Sequence, residues 1–159
     1  MLIKKFTVFA TTLFFVVLAL GVVARAADQH SGTWKMNPAK SKYSPGPAAK
    51  SITSTVESDE NGVKVNSEGI GGDGNPTHVQ YDAKFDGQDY PITGAPNADT
   101  ISVKRIDANT IQPTVKKGGE VVMTVTSTVS KDGKTRTSTF KGKDAQGRAV
   151  NNVVVYDKQ

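Results

Sequence analysis

The chain of 159 residues contains no cysteine, one tryptophan and two histidines. The missing cysteine excludes disulfides, thiol nucleophiles and cysteine metal sites, so the fold must hold by packing alone. It also excludes a lipid-anchored lipoprotein, which would need a cysteine after its leader. Histidine is too scarce for much acid–base chemistry. His30 lies close to the expected mature N-terminus, where fraying is the rule, and His78 falls on the water-facing side of a strand. No G-x-S-x-G elbow occurs, and no segment beyond residue 26 carries the three-and-four apolar repeat of a long helix. No basic cluster is interleaved with aromatics, which argues against nucleic acid as a partner. These absences predict a protein that is not an enzyme and needs no cofactor or metal.

What is present begins with an address. Lys4 and Lys5 precede an apolar stretch over 6–23, and Ala24-Arg25-Ala26 follows with small residues suited to signal peptidase. The sequence therefore predicts a signal peptide over 1–26, one domain over 27–159, and a secreted product, periplasmic or extracellular. The competing reading is an uncleaved anchor, since about eighteen mainly apolar residues approach a spanning length. The small-residue exit and the polar sequence beyond it favour cleavage, leaving no membrane span. Lys4, Lys5 and Arg25 leave with that segment, so 20 basic residues become 17 against 15 acidic ones, and the net charge falls from +5 to +2. The remaining charges are mixed and scattered, as on a solvated surface.

From Ser51 onward the pattern is one of strands. Residues 77–85 alternate, placing Val79, Tyr81, Ala83 and Phe85 on one face and His78, Gln80, Asp82 and Lys84 on the other. Residues 120–130 are rich in valine and threonine, with Val121, Met123, Val125 and Val129 predicted to point one way. Further strands are predicted over 33–37, 52–58, 63–69, 100–106, 110–116, 134–142 and 150–157, with a short one over 90–92. Glu60-Asn61-Gly62, Asp86-Gly87, Lys117-Gly118-Gly119 and Asp132-Gly133 supply hairpin turns between them. The fold class that follows is all-β: an antiparallel up-and-down meander of about eight to ten strands that hides its edges by closing into a barrel.

The glycine-rich stretch Gly69-Ile70-Gly71-Gly72-Asp73-Gly74 lacks the lysine and helix of a phosphate loop and the spaced acids of a calcium loop, and reads as a hairpin connection. Similar punctuation around residues 61–82 and 132–157 suggests a faint repeat, which reuse of turn residues explains without duplication.

Gly32-Thr33-Trp34 on the first strand resembles the Gly-x-Trp signature of lipocalins and their calycin relatives, and Val155-Tyr156-Asp157-Lys158 resembles the closing motif of fatty-acid-binding proteins. The whole mature chain, with Ser31-Gly32-Thr33-Trp34 followed by Lys40-Ser41-Lys42-Tyr43-Ser44-Pro45-Gly46-Pro47, is also similar to a group of small secreted bacterial proteins described as lipocalin-like or uncharacterised. The resemblance implies a small calycin-like barrel whose tryptophan plugs one end under a basic side chain, for which Arg148 is the nearest candidate. Gly32, Trp34 and Arg148 are thus the expected closure residues. The chain departs from fatty-acid-binding proteins in two places. Residues 38–50 are too short and proline-rich for their helix pair, and Val154 stands where their closing motif has an arginine.

A barrel of this size can be filled by its own side chains or hold one small ligand. Tyr81, Phe85, Arg105, Met123 and Tyr156 are the candidate ligand-binding residues of the interior. Arg105 shares the register of Ile101 and Val103, where a buried guanidinium would need an anionic partner; a solvent-facing strand end is the competing placement. Two functions follow: a secreted barrel carrying a small, largely apolar molecule, or a solid structural module whose surface contacts another protein of the cell envelope.

Overall fold

The computed structural model describes residues 28–159; the expected signal peptide lies outside them. Ten strands follow one another: β1 (Gly32–Met36), β2 (Ser51–Ser58), β3 (Gly62–Ile70), β4 (Pro76–Lys84), β5 (Tyr90–Thr93), β6 (Thr100–Arg105), β7 (Thr110–Lys117), β8 (Glu120–Val129), β9 (Thr135–Lys143) and β10 (Ala149–Lys158). Each is antiparallel to the next, and β1 meets β10, so the meander closes into a barrel. Among the described residues the one helical element is a 3-10 turn at Pro38–Lys40.

Alternation accounts for the strands. On β9, Arg136 and Ser138 are buried between Thr135, Thr137 and Thr139, whose branched side chains suit a pleated surface. On β8, Val125, Ser127 and Val129 are buried, but Val121, predicted to share their face, is 59% exposed. The β7–β8 register shifts between Val115 and Lys116, so Val122 is an extra, bulged residue on β8 and Val121 falls out of phase with the buried face of the strand.

The barrel has two unlike ends. The base gathers residues 28–31 and the connections after β2, β4, β6 and β8; the mouth gathers residues 37–50 and the connections after β3, β5, β7 and β9. Packing is densest toward the base, where Trp34, Val56, Val63, Ala83, Val103 and Val129 are all buried.

β1 pairs with β10 only from Trp34↔Lys158 to Met36↔Tyr156. The chain then makes its 3-10 turn, capped by Asn37 Oδ1 accepting from Lys40 N at 3.2 Å, and returns to the same strand. Lys42 N donates to Val153 O at 2.7 Å, Val153 N to Lys42 O at 2.8 Å, and Asn151 N to Ser44 O at 2.7 Å. The proline-rich stretch is therefore a continuation of the closing seam. The slightest wall is β5, with two register pairs to β4 and two to β6. Its turn lies directly on β4: a Cβ built at Gly94 would stand 1.6 Å from His78 O.

Candidate functional site

The base is closed by the segment ahead of β1. Trp34 is fully buried, and its indole Nε1 donates to His30 O at 2.8 Å. Asp28 Oδ1 accepts from His30 N at 2.9 Å, while Asp28 Oδ2 pairs with Arg105 Nη2 at 2.6 Å. Ser31 Oγ donates to Ser58 O and accepts from Ser58 N, both at 2.9 Å. Residues 28–31 are thus a plug, and His30 is 1% exposed rather than frayed. Neither of its ring nitrogens has a partner in hydrogen-bonding geometry. Burial lowers the imidazole pKa to about 4; Arg105 and Arg136 push the same way, against Asp28 and the nearby Asn109 backbone. The ring is neutral at pH 7.

Arg136, entering from the base end of β9, is 8% exposed. Its guanidinium lies 4.4 Å from the centroid of the Tyr156 ring and 5.2 Å from that of Trp34, whose ring also has Lys158 Nζ at 5.0 Å. No carboxylate among the described residues comes within ion-pairing distance of Arg136, and its Nε lacks a partner. Burial lowers its pKa, an effect the neighbouring tyrosines oppose, yet a guanidinium does not deprotonate in a protein. Burial pushes the Tyr81 phenol up to about 12 and raises that of Tyr156 as well, so both keep their protons.

Above this floor the barrel encloses a cavity of about 240 Å³. His30 and Arg136 lie at its base end. Ser54, Ser127, Ser138, Tyr81 and Tyr156 add polar atoms, with Ser127 Oγ and Ser138 Oγ 3.0 Å apart. The rest of the wall is mainly aliphatic, with Phe140, and the space reaches the surface past exposed Glu68 and Thr77 at the mouth ends of β3 and β4.

No family model, curated protein or solved structure matches this chain. Its chemistry has to be read from the cavity itself. Among the described residues no group of three or more histidines and acids is placed to hold a metal. The arrangement offers a buried cation, hydroxyls and an apolar wall, the makings of a binding pocket.

Of the residues predicted from sequence, Tyr81 and Tyr156 line this cavity; Phe85, Arg105 and Met123 do not. Phe85 follows β4 at the base, its ring centroid 4.2 Å from the Arg105 guanidinium carbon. Arg105 ends β6 there, where besides Asp28 it donates to Asp59 O at 2.9 Å and Ser58 Oγ at 3.3 Å, so its anionic partner is internal. Met123 sits near the mouth, paired with Gly142, beside the bulge. Trp34 plugs the base. Gly32 has φ +130°, and a Cβ there would lie 2.6 Å from Lys158 Cε, so glycine lets the Lys158 stem fold over Trp34. Arg148 belongs to the β9–β10 turn, its Nε 2.7 Å from Asp144 Oδ2 and far along the chain from the plug. The cations over Trp34 are Arg136 and Lys158 instead. Arg136 and His30 were not among the predicted site residues. The β9 spacing that puts Arg136 in phase with Phe140 carries the first; nothing local marks the second.

Proposed function

We propose that this chain is a secreted, calycin-related barrel that binds or carries a small, largely apolar molecule in its interior, without catalysing a reaction. The observation that carries the reading is the cavity of about 240 Å³, open near Glu68 and walled mainly by aliphatic side chains. A solid structural module would fill that space with its own side chains at ordinary interior density. Kinship with calycins is supported by the tryptophan plug, the cations above it and the closed meander. Export is supported by the leader alone. Native mass spectrometry of the protein from its own source, compared with the denatured chain, is the direct test. A copurifying small molecule is expected. The bare polypeptide mass, together with no change in the emission of an apolar dye on mixing, would sink the carrier reading in favour of the structural module.

A further inference from the structure

We propose that the ligand carries one anionic group, seated against Arg136 on the cavity floor, on a compact apolar body of about ten non-hydrogen atoms. The proposal rests on the reading of this barrel as a binding protein and adds its charge and size.

The charge argument starts from Arg136. A buried guanidinium ordinarily has a carboxylate or a full set of acceptors, because an unpaired charge away from water is costly. Here two aromatic rings approach it at 4.4 and 5.2 Å, Nε has no acceptor, and the nearby acid Asp28 is engaged by Arg105. The residue lines the cavity, so a ligand can supply what the protein omits. Tyr156 already shares a side-chain hydrogen bond with Arg136 and holds the guanidinium at the floor, while Tyr81, which keeps its proton over the whole physiological range, and the nearby serines can donate to an anion seated there. Glu68 is the sole acid in the lining, and it is exposed at the opposite end. The floor is therefore electropositive, and a cationic guest would meet repulsion where an anionic one meets a partner.

Size follows from volume. An apolar cavity of about 150 Å³ accepts benzene, with its six carbons. At the same density, 240 Å³ holds about ten non-hydrogen atoms. That admits a benzoate-like or eight-carbon acid and leaves out a long acyl chain.

The test uses isosteres that differ in charge. The purified protein, refolded to remove any resident molecule, is titrated calorimetrically at pH 7.5 with benzoate, benzamide and benzamidine, and with octanoate, octanamide and hexadecanoate. Each acid is expected to bind about tenfold or more tightly than its amide, with benzamidine weakest. Arg136→Gln should erase the difference between acid and amide. Since that substitution also removes a contact to Trp34, folding is checked by tryptophan emission, and the wild-type comparison stands if the variant is unstable. Amides binding as well as acids would overturn the anion site while leaving a carrier of neutral molecules. Hexadecanoate binding as tightly as octanoate would overturn the size limit. Binding of neither acids nor amides would remove the carrier reading, and this proposal with it.

Discussion

Acidification should loosen the base of the barrel through one side chain, His30. Its pKa is about 4 in the folded protein against 6.5 for a free histidine, so the released imidazole binds a proton more readily than the buried one. Stability from this residue is complete above pH 6.5 and drains away as the pH falls toward 4. At about 1.4 kcal/mol per pH unit the full loss is about 3 kcal/mol, and about 2.5 kcal/mol of it is reached at pH 4.5. The ring is 1% exposed, so screening by solvent does not dilute the effect. Against a domain stability of about 5–15 kcal/mol this is a large fraction. Urea unfolding followed by Trp34 emission at pH 7.5 and 4.5, in wild type and His30→Leu, isolates it, because the carboxylates titrate in both proteins. The wild type is expected to lose about 2.5 kcal/mol more than the variant. An equal loss in the two would show that His30 is not buried as a neutral ring.

Three further outcomes follow from the closure of the base. Trp34→Ala should cost about 3–5 kcal/mol, read as a drop in the urea midpoint followed by circular dichroism, since it deletes a fully buried indole and the bond to His30. Arg105→Ala should cost about 1.5–3 kcal/mol by removing the bond to Asp28, and limited proteolysis should then cut within residues 28–31 sooner than elsewhere. Gly32→Ala should cost about 1–3 kcal/mol in the same urea assay, because alanine meets both a positive φ and the Lys158 stem.

The fold was legible because its signals are local. Two-residue alternation and glycine-bearing turns located the strands to within a few residues, as in β4 from Pro76 to Lys84 against a predicted 77–85. The site was less legible because it depends on which end of the barrel each strand reaches. Phe85 and Arg105 share the phase of the buried Ala83 and Val103, but β4 and β6 terminate at the base, below the cavity. Arg148 was favoured by its position near the last strand, yet the strand that brings a cation to Trp34 does so from the start of β9, twelve residues earlier in sequence. His30 could not be recognised as a wall residue before the plug was seen, since its burial comes from contacts with β1, β2 and β6 made through Asp28, Ser31 and Trp34.

The closing seam has a consequence for assembly. It joins strands from opposite ends of the described chain, with Asn37 Nδ2 donating to Asp157 Oδ2 at 2.7 Å, 120 residues away, so it is among the contacts whose loop closure costs most. Without the seam the meander would be an open sheet with two bare edges, each able to pair with another copy. The strands themselves meet over only three residues, from Trp34 to Met36, and the return of Lys42 and Ser44 to β10 lengthens the zip. The proline-rich stretch between β1 and β2 therefore helps keep the protein from polymerising through its own edges.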